Sequence, residues 1–358
     1  MGKHIFLIYS DLGLGGVQRK ITDIINSWKT ENQQKNILHV IIRFKTQFTF
    51  EKQFLDKNSI IHLSPFQKKS LYCIFVVYLF IRYRPISVLA FFHQSLLYTL
   101  IGKILSLSKN TVIILSQDNI LSMENRHPYI ERPYPKWLIH LLCMFPRHII
   151  VQTKYAKENL IKTYNIKRKK IVIIPNWFIG ATPIYNNKPI DCMYCGRFAK
   201  QKRLDRLIQV FSEVKKTLPK FHALLIGEGE KKDMLHRSIY INNLQKNVRI
   251  LPPTHNVRQY IAKSKLFILT SEFEGHPMVL LEAMASETVP IVIDYPGVHE
   301  YVRNQKTGYI EKDTTAMTNR ILFLLNNEKI RTVVGDLAKK EVETKYNKNL
   351  ITKTLSYL

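Results

Sequence analysis

The feature that narrows this chain most is alternation. Between residues 5 and 174, short apolar runs (5–9, 38–42, 60–63, 86–91, 112–116, 148–151 and 171–174) take turns with helix-period stretches (17–28, 70–82, 96–107, 136–144 and 154–162). Strands and helices in succession bury a sheet on both faces when the strands run parallel and helices cover them. Residues 119–135 read as a charged, Pro-rich loop, and residues 176–189, with Pro, Gly and Asn clusters, as a linker. A second series follows, with strands at 192–195, 222–226, 248–251, 266–270 and 289–293. Its helices are expected at 204–218, 231–241, 257–262, just after Pro277, and at 315–326, 329–346 and 350–358. The predicted class is α/β: two doubly wound domains, 1–178 and 179–345, facing a cleft, with ligands beyond the carboxyl ends of the strands.

Charge and cysteine usage bound the partners. The formal charge is +27, with 26 Lys and Arg against 9 Asp and Glu in residues 1–178 and 28 against 18 in residues 179–358. Such an excess favours a polyanion, an anionic membrane surface or a phosphorylated substrate. Four cysteines, mostly in apolar runs, exclude a disulfide framework. Cys192 and Cys195 sit in a strand-like run with no second ligand pair at zinc spacing, so they read as buried small hydrophobes. No secretory signal is read at residues 1–11, and the longest apolar run, 71–81, is shorter than the roughly 20 residues of a membrane span. A cytoplasmic protein, with peripheral attachment to the inner face of the plasma membrane, is the expectation.

The chemistry concentrates at strand ends. The stretch T-S-E-F-E-G-H-P-M-V-L-L-E-A-M-A-S-E-T-V-P-I-V (270–292) reads as strand end, tight loop, helix and strand. Pro277 suits a first helical turn, and the N–H groups around Gly275 at a helix N-terminus attract anions. Glu274 and Glu282 add two carboxylates. In C-G-R-F-A-K-Q-K-R-L-D (195–205), Arg197 and Lys202 follow a strand and suit a diphosphate, whose charge as a leaving group they would stabilise. I-G-E-G-E (226–230), containing Glu228, offers another glycine turn that brings backbone close to a ligand. The loop D-L-G-L-G-G-V-Q, with Gly13, Gly15 and Gly16, is no dinucleotide fingerprint, because Gln18 stands where a third glycine belongs; it can still present N–H groups to a phosphate. No D-x-D pair occurs to hold a divalent cation.

These residues carry a resemblance. G-G-V-Q (15–18), I-P-N (174–176), G-R-F-A-K-Q-K (196–202), I-G-E-G (226–229), S-E-F-E-G-H-P-M-V-L-L-E-A-M-A (271–285) and G-V-H-E-Y-V…T-G (297–308) arrive in the order found in retaining GT-B glycosyltransferases of glycosyltransferase family 4, the glycosyl transferases group 1. The resemblance covers nearly the whole chain and is strongest from Cys195 to Gly308. It implies a GT-B fold of two Rossmann-like domains, the first binding an acceptor and the second a nucleotide sugar, with residues 346–358 crossing back to the first. Glu274 would contact the donor sugar, Glu282 the ribose, and Arg197 and Lys202 the diphosphate with help from Gly15 and Gly16. The rest of the donor loop, Gly275, His276, Pro277, Met278 and Val279, would line the donor pocket, with His276 and Met278 bearing on sugar choice. The catalytic set expected is Glu274, Asp118, Arg197 and Lys202. The chain departs from the family at Gln18 (often Glu), Arg203 (commonly Gly) and His276 (often Phe). Many members have a His after the fifth strand, where this chain reads L-S-Q-D-N, so Gln117, Asp118 and, after the preceding strand, His93 are the acceptor-side candidates.

The activity so implied is metal-independent retaining transfer of a hexose or N-acetylhexosamine, without a cofactor, from a nucleoside diphosphate sugar, UDP-sugar favoured, to a glycan or lipid-linked glycan in cell-surface polysaccharide synthesis, with lipopolysaccharide among the products. A catalytically inactive glycan-binding paralogue is the alternative. Nucleic-acid binding is the weaker one: the charge permits it, but no aromatic-basic strand face or recognition helix is found.

Overall fold

The structure, a computed structural model, describes residues 3–11, 15–31, 36–44, 59–66, 68–126, 134–185 and 187–358. Gly13 and part of the loop read at 119–135 lie outside them. Contacts divide the chain into two units, Met1–Pro175 with Asn349–Leu358, and Asn176–Lys348.

In the first unit the elements run β1 His4–Asp11, α1 Gly16–Glu31, β2 Ile37–Phe44, β3 Ser59–Leu63, α2 Lys69–Tyr83, β4 Ser87–Phe91, α3 Phe92–Leu105, β5 Val112–Ser116, α4 Leu121–Arg126, α5 Lys136–Met144, β6 His148–Val151, α6 Lys154–Tyr164 and β7 Ile171–Ile173. Among the described residues the sheet is ordered β3-β2-β1-β4-β5-β6-β7, and its neighbouring strands are parallel. Central strands buried on both faces read as continuous apolar runs; Ile5 to Ile8 and Val88 to Phe91 are buried throughout. Right-handed crossovers put α2, α3, α5 and α6, which all progress one way along the sheet, on one face and α1 on the other. Two differences from the sequence reading stand out. The expected loop at 119–135 contains α4, and α3 begins immediately after β4, turned by Phe92 at φ 61.

In the second unit the order is β8 Ile190–Cys195, α7 Leu204–Thr217, β9 Ala223–Ile226, α8 Lys232–Ile241, β10 Val248–Leu251, α9 Val257–Ala262, β11 Ser264–Leu269, α10 Met278–Ala285, β12 Val289–Ile293, β13 Tyr309–Glu311, α11 Thr314–Asn326 and α12 Glu328–Lys345. The parallel sheet is ordered β10-β9-β8-β11-β12-β13. A final helix, α13 Asn349–Leu355, groups with the first unit and packs on α1. In both sheets the direction of strand addition reverses once, between β1 and β4 and between β8 and β11. A doubly wound sheet offers its ligand crevice at this switch point.

One feature of the first sheet was not read from sequence. His4, His39 and His62, on β1, β2 and β3, form a hydrogen-bonded row: His4 Nδ1 lies 2.8 Å from His39 Nε2, and His39 Nδ1 lies 2.7 Å from His62 Nε2. The rings of His39 and His62 stack at 5.0 Å, with Tyr83 against both. Burial, reinforced by His62 and His4, pulls His39 down to about 3, and burial with help from Arg82 pulls His62 down to about 4. A neutral row fits, since each shared N–H needs one donor and one lone pair. Both values fall below the ordinary 6.5, so the unfolded chain takes up the protons first and the row's contribution is complete above pH 6.5. Urea midpoints are therefore expected to fall as pH drops from about 6.5 towards 4, and His39→Leu should flatten that part of the profile.

Candidate active site

The second unit places the residues expected to hold the donor at its switch point. Arg197 and Lys202 follow β8, and Glu274 follows β11, the strand paired with it. The loops are sewn together by main-chain and side-chain bonds. Gln201 donates from Nε2 to the Phe273 carbonyl (2.6 Å) and accepts at its own carbonyl from Glu272 N–H (2.9 Å). Thr270 Oγ1 donates to the carbonyls of Lys202 and Arg203. Lys202 Nζ then lies 2.5 Å from Glu274 Oε1, which also accepts from Ser271 Oγ at 2.6 Å. This pair is largely enclosed, with 16% of the Lys202 side chain and 8% of that of Glu274 exposed. Arg197 is exposed and its carbonyl accepts from the buried Tyr194 hydroxyl.

Glycine allows the adjoining loops to meet. A Cβ on Gly227 would lie 2.0 Å from the Gly196 carbonyl oxygen, and one on Gly229, at φ 150, would lie 2.6 Å from that of Phe198. Phe198 N–H donates to the Glu228 carbonyl at 2.7 Å. The I-G-E-G turn thus approaches the G-R-F loop, where the sequence suggested approach to a ligand. The Glu228 side chain is exposed and pairs with Lys232. Arg203 takes the left-handed conformation at φ 49 and ψ 51, which glycine adopts without penalty. Its guanidinium is tied to Asp205.

The loop before α10 is held from behind. Asn176, of the I-P-N segment, donates from Nδ2 to the His276 carbonyl at 2.6 Å. The His276 ring is enclosed between Tyr301 and Tyr346, with centroids at 4.5 and 5.1 Å. Pro277 precedes the first helical residue instead of occupying it. Gly275 and Met278 are buried, while Pro277 and Val279 are partly exposed. The His276 and Met278 side chains, expected to bear on sugar choice, therefore face protein. Glu282 is buried beside Arg258, whose Nε is 3.5 Å from Oε1 and whose guanidinium lies over Phe178. Arg258 was missed by the sequence reading, because nothing in V-R-Q-Y-I-A marks one arginine. A groove of about 410 Å³, lined in part by Phe178, Thr182, Ala285 and Asn347, reaches the opposite end of α10.

The first unit places the three acceptor-side candidates among buried contacts. Asp118 lies at the end of β5, but its carboxylate is occupied: Oδ1 is 2.5 Å from Lys20 Nζ and 2.7 Å from Gln152 Nε2, and Oδ2 accepts from Ser116 Oγ at 3.0 Å. Both side chains of the Lys20–Asp118 pair are 2% exposed, so Asp118 stands as a buried counter-ion to Lys20. Gln117 is buried, with its N–H on the Ile150 carbonyl. His93 sits in the first turn of α3, buried against Tyr134, and burial lowers it to about 4. Lys20 was also missed. The available signal was its place on the apolar stripe of α1 with Val17, Ile21, Ile24 and Trp28, where a charge must find a partner. Gly15 and Gly16 are exposed at the start of α1, and the Gly15 carbonyl accepts from Arg19 N–H.

Residues 181–341 match the family model described as Glycosyl transferases group 1. The matched stretch lies within the second unit. Among curated relatives, the chain is 30% identical over 205 residues to a poly(ribitol-phosphate) alpha-N-acetylglucosaminyltransferase of Staphylococcus aureus, covering 56% of this chain and 41% of that protein. It is 28% identical over 232 residues to a Campylobacter jejuni N-acetylgalactosamine-N,N'-diacetylbacillosaminyl-diphospho-undecaprenol 4-alpha-N-acetylgalactosaminyltransferase, covering 62% and 63%. The chain spans about half the length of the curated relatives it matches. Among solved structures, Anabaena HepE in complex with UDP and glucose superposes with a TM-score of 0.81 at 16% identity, over 99% of this chain and 100% of that one. That likeness, with the two sheets, gives the fold as GT-B, two Rossmann-like units.

Two measurements check these assignments. Lys20→Ala should cost about 3–5 kcal/mol in urea unfolding, since it strands a buried carboxylate, and a Lys20→Met, Asp118→Leu double variant should recover most of it. Gly227→Ala should destabilise by about 1–3 kcal/mol by forcing the two loops apart.

Proposed function

We propose that the chain is a hexosyltransferase that moves a hexose or N-acetylhexosamine from a nucleoside diphosphate sugar, UDP-sugar favoured, to a glycan or lipid-linked glycan in cell-surface polysaccharide synthesis. The observation that carries this reading is the Lys202–Glu274–Ser271 cluster at the switch point, with Arg197 exposed on the same loop as Lys202. Lys202 has three N–H donors and spends one on Glu274. The others, with the exposed fork of Arg197, suit a diphosphate. Glu274 accepts from a sugar hydroxyl, and the first turn of α10 presents N–H groups at a positive helix end. Glu282 serves the ribose once Arg258, now beside it, gives way. The first unit takes the acceptor, with Gly15 and Gly16 at the start of α1 available to phosphate oxygens.

In the proposed retaining step the acceptor oxygen bonds to the anomeric carbon on the face from which the diphosphate leaves. The bond from that carbon to the phosphate oxygen breaks, and the acceptor proton passes to the departing phosphate. Arg197 and Lys202 stabilise the charge that develops there. With two side-chain cations in that place and no D-x-D pair in the sequence, the step is proposed to need neither metal nor cofactor. The relatives support the class of acceptor: one acts on a poly(ribitol-phosphate), another on a diphospho-undecaprenol glycan. HepE holds UDP, which favours that nucleotide. A place on the inner face of the plasma membrane follows for a lipid-linked acceptor.

Thermal melts with UDP-, GDP- and ADP-sugars in the presence of a chelator test this. One of them should stabilise the chain. Lys202→Met should weaken that donor by about tenfold or more, as loss of a charge-assisted hydrogen bond does, and Glu274→Ala should abolish its slow hydrolysis. Unchanged turnover in Glu274→Ala removes the role given to that carboxylate. Absence of stabilisation by every nucleotide sugar, with glycan binding retained, would instead identify an inactive binding protein.

A further inference from the structure

We propose that the outer surface of α2 and α5 in the first unit seats the protein on a bilayer of anionic lipid. The helix α2 is apolar on two sides. Tyr72, Val76, Leu79 and Phe80 fill the core, as an amphipathic helix over a sheet requires. Leu71, Ile74, Tyr78 and Ile81 recur at helical spacing on another side and are exposed, Ile74 by 62%. A helix facing only water carries polar residues there. The same holds for α5: Ile139, Leu142 and Cys143 are buried, while Trp137 (67% exposed), Leu141 and Met144 project outward. Between them, α3 contacts both helices and ends in exposed Ile104 and Leu105. All three cover the same face of the sheet, so the apolar ridges belong to one layer, and exposed apolar patches of this extent mark an interaction surface.

Charge selects the occupant. Between residues 57 and 117 the chain has seven Lys and Arg and no Asp or Glu, and between 132 and 157 it has five and none. Lys68 and Lys69 at the start of α2, Arg82 and Arg84 at its end, Lys136 at the start of α5 and Arg147 beyond it are exposed around the ridges. A second copy of the chain would set this cationic rim against itself. A nucleic acid would match the rim but leave the aliphatic ridges unburied. An anionic bilayer satisfies both. Aliphatic side chains enter the acyl boundary, Trp137 and Tyr78 sit at headgroup depth, and the cations meet lipid phosphates. Contact is superficial, because no helix among the described residues is long and apolar enough to cross a membrane. The proposal goes beyond the transferase reading and does not depend on it, since its observations concern the first unit's surface alone.

The test uses the full chain and vesicles without any nucleotide sugar. Co-sedimentation is expected with phosphatidylcholine vesicles containing phosphatidylglycerol, and should be at least about tenfold weaker on pure phosphatidylcholine or at high salt. Trp28 and Trp177 are buried, so a blue shift of tryptophan emission on binding reports Trp137. The double variant Ile74→Glu, Tyr78→Glu should lose binding by about tenfold or more while keeping its melting temperature and any donor stabilisation. Equal binding to neutral and anionic vesicles, no binding to either, or binding without a shift at Trp137 would overturn the proposal. So would a dimer in light scattering that the double variant dissociates. A null result with nucleotide sugars leaves the vesicle experiment untouched, so the two readings fail separately.

Discussion

Lys202 and Glu274 form the interaction on which the second unit's candidate site depends. They come from loops after β8 and β11, separated by 72 residues in sequence but following paired strands. Two charges so enclosed attract strongly yet pay heavily in desolvation, so such a pair is weak evidence for stability by itself. Its surroundings explain its persistence. Ser271 gives the carboxylate a second donor, and Gln201 and Thr270 fix the backbones on which both side chains stand. An ammonium and a carboxylate held this way form a preorganised polar surface, as the proposed diphosphate site requires.

The first unit shows the same chemistry put to another end. Lys20 and Asp118 are as close as Lys202 and Glu274, and likewise lie near the carboxyl edge of a parallel sheet. Here Ser116 and Gln152 complete the shell and exclude water. A closed pair ties α1 to the ends of β5 and β6. An open pair, with one face still reachable, can exchange a partner for a ligand. Remaining exposure is the difference between these two pairs, and sequence does not encode it locally.

That difference explains which parts were legible. Strand and helix positions followed from periodicity, because a parallel sheet buried on both faces demands continuous apolar strands; β5 and α9 begin and end where hydrophobic pattern places them. The nearness of Lys202 to Glu274 follows from topology, which brings the ends of β8 and β11 together. The burial of Asp118 and His93 was not legible, because a polar residue after a strand looks alike in sequence whether it is open to a ligand or packed against protein. The glycines of I-G-E-G were seen as serving a ligand when their first constraint is the carbonyl oxygen of a neighbouring loop. Arg203 shows a further limit. Its left-handed backbone, a conformation that favours glycine, was not visible in the sequence.

The charge of the chain reads differently once burial is known. An excess of +27 by itself permits nucleic acid, membrane or phosphorylated substrate. In the second unit the relevant cations converge on one loop, and one is held against a carboxylate, which suits a small, defined anion. In the first unit the exposed cations surround side chains that gain nothing from water. Apolar ridges and a cationic rim together ask for a partner that is oily in depth and negative at its surface. An extended anionic bilayer meets that requirement, and a glycan acceptor carried on a lipid would be presented at the same surface.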